Sequence, residues 1–327
     1  MKKNDLNGWR YKANLVNGVF DFKVIPLNPI SPPKIFYKFY SLSENAVDAL
    51  TNLYIYASHP FQLNDPFDCS KDIIQINDSK SMQELWGNLY DKFCQAYQND
   101  YARIKESNNA FSTLIFRKWG VFCLTPNKDN EIMWSLYAQN TGFRLGFDIS
   151  KFPFATKGPF PINYCKTLPH IKTSKCDVHT AALIQTNVKH DSWSYEDEWR
   201  LLVLSPDGFD METFGPLAND INRPDDHDRK YRYPLSALKS ITLGCDFLKE
   251  AQLEHRLFCV GDSEMDVVYH EECLQTQVLD FLNEVQTKYP PLRVCLASID
   301  KEKNIFEDIP VKIIKLSKYT YHFIEIG

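Results

Sequence analysis

The chain has 327 residues, 44% of them hydrophobic and 24% charged, with 37 basic against 42 acidic side chains. That length buries a sizeable core in one large domain or two modest ones, and the near-average composition excludes wholesale disorder. The slight acidic excess does not favour general nucleic-acid binding, which draws on a basic stripe or domain.

Residues 1–33 end in Pro26, Pro29, Pro32 and Pro33 and read as an ordered N-terminal arm. An aromatic strand follows over residues 35–40, then a helix from Ser43, whose hydroxyl suits an N-cap. A second strand over 53–58 leads into a proline-punctuated loop, 59–68. Leu85, Leu89, Phe93 and Tyr97 step by four, so residues 80–117 read as largely helical. Next come a strand over 120–125, a helix over 130–138 capped by Asn130, and a strand over 144–148, with Gly142 expected at the helix C′ position. A short strand at 162–164, a helix over 181–188 and a strand over 201–204 precede a polar loop, 217–228. A helical turn at 234–239 feeds a strand over 240–243. Residues 264–287 read as one long helix, and strands are expected over 292–298, 311–316 and 319–326. The expected organisation is an arm (1–33), a core (34–250) and a C-terminal helix-and-strand extension (251–327).

Glycine is scarce, at 12 residues, and its placement excludes several enzyme classes. There is no GxGxxG, GxxxxGK[ST] or GxSxG, so dinucleotide folds, P-loop NTPases and the hydrolase elbow are set aside. Any nucleotide site must work without a glycine cradle. The nine cysteines show no CxxC pair and no HExxH is present, so no metal is expected. Cys123 and Cys295 lie in apolar runs and read as buried free thiols of a reducing, cytoplasmic compartment. No stretch reaches the ~20 apolar residues of a membrane span, and Met1-Lys2-Lys3 begins no signal peptide.

Four groups of residues could carry chemistry. Glu196-Asp197-Glu198-Trp199-Arg200 opens an apolar strand, and alternation puts Glu196, Glu198 and Arg200 on one face. The structural alternative is one Glu paired with Arg200 at a solvated strand start. In Met133-Trp134-Ser135-Leu136-Tyr137-Ala138, helical spacing groups Met133, Trp134 and Tyr137, as core or as an aromatic pocket wall. Asn64-Asp65-Pro66 makes a turn or a polar contact. On the first strand Phe36, Lys38 and Tyr40 share a face.

Together these motifs resemble a bacterial family known as domain of unknown function 2971. Its pattern is an aromatic-Lys-aromatic strand, Asn-Asp-Pro-Phe, Met-Trp-Ser-x-Tyr-Ala with a following Gly, and Trp-x-x-Glu-x-Glu-aromatic-Arg. Here these stand at Tyr37–Tyr40, Asn64–Phe67, Met133–Ala138 with Gly142, and Trp193–Arg200. The family is in turn distantly similar to ADP-ribosyltransferases, which bind NAD between two small sheets without a glycine cradle. The resemblance implies an α+β fold with a split mixed-sheet core, helical insertions and a C-terminal α/β extension. It implies an enzyme that transfers ADP-ribose from NAD to a macromolecular acceptor, as a toxin or phage-defence effector. Glu198, Glu196 and Tyr137 would be catalytic. Lys38, Tyr40, Asn64, Asp65, Trp134, Ser135 and Arg200 would bind NAD. The His or Arg that better-known classes carry on the first strand is replaced. A non-catalytic recognition module that keeps the pocket is the alternative, and a metal-dependent nuclease built on the three acids a third reading. Two acids this close should raise one pKa.

Overall fold

The computed structural model describes residues 4–6, 8–16, 19–76, 78–91, 94, 119–153, 156–204, 229–254, 264–300 and 305–326. Most of the expected helix beyond Tyr90 and all of the polar loop 217–228 fall outside them. The chain forms two compact units assembled from alternating stretches. One takes Met1–Pro32, Tyr56–Cys123 and Phe154–Tyr231; the other takes Pro33–Ile55, Leu124–Pro153 and Arg232–Gly327. The helices used below are α1 (Glu44–Thr51), α2 (Ser79–Trp86), α3 (Glu131–Leu136), α4 (Val178–Gln185) and α5 (Leu274–Lys288).

In the first unit the N-terminal residues form an antiparallel meander of strands Asn4–Leu6, Trp9–Val16 and Val19–Ile25. Its Tyr11 and Phe22 enter a core with Met82, Leu85 and Trp86 of α2 and Val178, Ala181 and Ile184 of α4. Helix α4 begins earlier than its apolar run because the Asp177 carboxylate accepts from His179 and Thr180 N–H at 3.0 and 2.9 Å. It is buried nearly all round, as an apolar helix must be. A three-stranded sheet orders Trp119–Leu124, Trp199–Leu204 and Thr156–Pro161, with a bulge between Arg200 and Leu202. Asn163–Cys165 pairs in parallel with Val188–His190.

The second unit is built on an eight-stranded mixed sheet. Its order is Gln252–Glu254, Glu264–Val268, Thr320–Glu325, Ile305–Lys315, Arg293–Asp300, Leu238–Leu243, Phe143–Phe147, Phe36–Tyr40. Leu238–Leu243 and Arg293–Asp300 run parallel, joined by a crossover that contains α5, and the other neighbours run antiparallel. The C-terminal strands are therefore part of the same sheet as the aromatic first strand. The fold is α+β with a large mixed sheet and few helices among the described residues.

Two expectations change here. Residues 264–268 are a strand, not the start of a helix: buried Met265 and Val267 alternate with Glu264, Asp266 and Val268, a period of two. Helix α5 starts only after Cys273, whose N–H donates to Thr276 Oγ1 at 3.0 Å. Gly142 does not cap α3 either. The helix ends at Leu136, and Gln139 and Asn140 take the left-handed turn with φ of 53° and 56°. Glycine is needed at 142 because a Cβ there would lie 1.9 Å from the Tyr40 carbonyl oxygen.

Candidate functional site

The first unit contains a buried chain of charges around the Glu-x-Glu-Trp-Arg motif. The backbone forms a 3₁₀ turn over Asp191–Glu196, passes through Asp197 at φ 46°, and becomes a strand at Trp199. The left-handed residue between the two glutamates interrupts simple strand alternation. Both acids nevertheless reach one cluster. Glu198 Oε1 accepts from Arg200 Nε at 2.7 Å, and Oε2 accepts from Lys189 Nζ at 3.0 Å and Arg200 Nη2 at 3.1 Å. Glu196 Oε2 accepts from Lys189 Nζ at 2.5 Å. On the far side, Arg200 grips Asp68 in a two-pronged pair, Nη1 to Oδ1 at 2.9 Å and Nη2 to Oδ2 at 2.5 Å. Arg200 Nη1 also donates to the Thr186 carbonyl at 2.9 Å.

The cluster is dry. Asp68, Lys189, Glu196, Glu198 and Arg200 are 5, 3, 4, 4 and 1% exposed. The expected solvated strand start is therefore not found. Buried charge survives only when paired and hydrogen-bonded, which this arrangement achieves. Burial by itself would push the Glu198 carboxyl up, but the neighbouring Arg200 and Lys189 hold it well below the usual carboxylate range. At Glu198 the two cations outweigh the cost of burial. Lys189 is kept charged in the same way: burial pulls it down, and Glu198, Glu196 and Asp68 more than reverse this.

Beside the cluster lie two half-buried aromatic rings. Trp193 and Tyr195 have centroids 6.0 Å apart, and Lys189 Nζ sits 4.8 Å from the Trp193 centroid. The Asn-Asp-Pro-Phe segment is a turn. Asp65 Oδ1 accepts from Phe67 N–H at 2.9 Å and the Asp65 carbonyl from Asp68 N–H at 3.0 Å, while Asn64 is exposed. The motif thereby delivers Asp68, one residue beyond it, to Arg200.

The second unit holds the other expected residues. Trp134 is fully buried, edge-on to Phe39 at 5.1 Å and stacked on Phe306 at 5.9 Å. Arg144, 1% exposed, lies 5.2, 5.9 and 5.4 Å from the Tyr37, Phe39 and Trp134 rings and donates to Thr242 and Asp308 at 2.8 and 2.6 Å. Ser135 is exposed, and Tyr137 is half-buried at the end of α3. Strand register separates the rest. Phe39 pairs with Arg144 and Arg144 with Thr242, so these share a face with α3. Lys38 pairs with Leu145 and Tyr40 with Phe143, on the opposite face. Tyr40 stacks on Phe143 at 5.6 Å. The structure thus brings Glu196, Glu198 and Arg200 together, and sets Lys38 and Tyr40 on the face of the sheet away from Trp134.

Three residues escape the sequence reading: Asp68, Lys189 and Arg144. Each is a single charged residue in ordinary surroundings, Lys189 between Val188 and His190. Only at Arg144, between Phe143 and Leu145, was a signal available, a lone charge inside an apolar run; Asp68 and Lys189 lie in polar stretches. Among the described residues no group of three or more His, Cys, Asp or Glu could hold a metal ion, and no helix is long and apolar enough to cross a membrane. None of the eight described cysteines forms a disulfide; Cys295 is buried, whereas Cys123 is only half-buried.

No curated protein and no solved structure matches the chain. Residues 133–201, from the start of the Met-Trp-Ser motif to just past Arg200, match the model of a family described as protein of unknown function (DUF2971).

Proposed function

We propose that this protein transfers ADP-ribose from NAD to a macromolecular acceptor, in the setting of a toxin or phage-defence effector. The observation that carries the reading is Glu198, a carboxylate kept ionised by Arg200 and Lys189 in a dry site. In such a transfer the C1′–N bond of NAD breaks and nicotinamide leaves with the bonding pair. Positive charge builds on the ribose, and a fixed anion in a low-dielectric site stabilises it more than water does. The acceptor nucleophile then bonds to C1′ and gives up its proton. The Glu196 carboxylate, joined to Glu198 through Lys189, would act as the base that takes it. The half-buried Trp193 and Tyr195 rings offer flat surface next to these acids.

A second reading is a recognition module that binds its ligand without turnover. It is favoured by the occupancy of Glu198: both oxygens accept hydrogen bonds and the side chain is 4% exposed. The acid must then exchange a partner before it can touch a ribose.

The test is nicotinamide release from NAD by purified protein, with and without cell extract, alongside calorimetry. Release that Glu198→Gln abolishes in a folded protein supports transfer. Binding of NAD without release supports the recognition module. No binding and no release removes the transfer reading and leaves a module that recognises another ligand or partner.

A further inference from the structure

We infer that Lys189 is the positioning residue of this site, a single ammonium that sets the separation of Glu196 and Glu198 and ties both to Trp193. The inference rests on the transfer reading for its purpose, but its geometry stands alone. Nζ lies 2.5 Å from Glu196 Oε2, 3.0 Å from Glu198 Oε2, 3.7 Å from Asp68 Oδ2 and 4.8 Å from the Trp193 centroid. An ammonium has three donor hydrogens, and the two glutamates with the Trp193 ring face use that capacity.

The backbone explains why the two acids need such a residue. Glu196 ends a 3₁₀ turn, and Glu198 lies beyond the left-handed Asp197, so no regular element fixes their spacing. Lys189 comes from a different strand, Val188–His190, whose pairing with Asn163–Cys165 anchors it independently. Tyr164 of that partner strand also reaches the site, its hydroxyl accepting from Glu198 N–H at 2.8 Å. Without the ammonium, two carboxylates would face each other in a dry site and one would take up a proton. The charged and titratable groups facing Lys189 are Asp68, Tyr164, Tyr195, Glu196, Glu198 and Arg200.

The experiment follows the glutamate carboxyl signals of ¹³C-labelled protein by NMR across pH, with assignments from Glu196→Gln and Glu198→Gln. Lys189→Met is expected to move at least one of the two carboxyls to a titration roughly 1–3 pH units higher. Lys189→Arg, which keeps the charge, should return it toward the native value. Titration in Lys189→Met identical to the native protein overturns the inference, since Arg200 would then suffice. Should Lys189→Met not fold, ¹⁵N-lysine spectra of the native protein decide. One slowly exchanging ammonium coupled to both glutamate carboxyls supports the inference, and its absence overturns it. Nicotinamide release is assayed in parallel. No release by native protein removes the transfer reading, while the carboxyl titration still decides the role of Lys189.

Discussion

Glu198 and Arg200, two residues apart, meet through a 2.7 Å hydrogen bond from Nε to Oε1 with neither side chain more than 4% exposed. A pair this dry is held in place by its other partners, Asp68 on one side and Lys189 on the other. Removing one member leaves charge stranded in a low-dielectric interior.

Arg200→Leu should therefore destabilise the protein by about 3–5 kcal/mol, the usual cost of breaking a buried pair from one side. Glu198→Gln should cost less, because the amide oxygen still accepts from Arg200. Urea denaturation of both variants checks the order. A loss under about 1 kcal/mol for Arg200→Leu, in the range of surface pairs, would contradict the buried network.

Stability should fall with acid in two stages. Burial, reinforced by Arg229, pulls the His59 pKa from 6.5 to about 4, so the folded chain carries it neutral. The unfolded chain takes up that proton first, and stability declines as pH drops from about 6.5 towards 4. Glu198 is held below its ordinary 4.5, so its contribution is present above that pH and is lost below it. Urea midpoints followed from pH 8 down to about pH 3 should show the first stage and the onset of the second, and His59→Asn should remove the upper one.

Gly142→Ala should cost about 3 kcal/mol. The added Cβ would fall 1.9 Å from the Tyr40 carbonyl oxygen and 2.9 Å from that of Ala138, both backbone atoms that cannot rotate away. A thermal melt close to that of the native protein would show that the strand Phe36–Tyr40 and the turn after α3 pack less closely.

Trp134 and Ser135 should separate packing from chemistry. Trp134→Ala empties the space between Phe39, Phe306 and Arg144 and should cost about 3–5 kcal/mol. Ser135→Ala, at an exposed helical position, should change stability by no more than about 0.5 kcal/mol. If native protein releases nicotinamide, a Ser135→Ala variant of native stability that has lost release would place this hydroxyl at the substrate.

Local signals in the sequence were legible where residue and geometry are tightly coupled. The Ser43 and Asn130 caps are where they were read, accepting from Ala46 and Met133 N–H at 3.3 and 3.2 Å. The aromatic strand Phe36–Tyr40 and the strand Phe143–Phe147 follow from β-propensity and from the glycine and proline residues around them. Residues 264–268 misled because a five-residue alternating stretch beside a real helix contributes apolar residues at either period.

The amino-acid sequence by itself determined the α+β class, most helix starts and the four motifs. These depend on contacts within a few residues, and each residue's type records them. Only the tertiary structure decided the meaning of the motifs. Strand register set Lys38 and Tyr40 on the face opposite Trp134. The Asn-Asp-Pro turn carried Asp68 to an arginine 132 residues away, and a separate strand supplied Lys189. A charge is buried or solvated according to what the fold stacks over it, and that information is distributed over residues remote in the chain. The glycine-poor composition that excluded a phosphate cradle is matched by a site built from carboxylates, cations and aromatic rings.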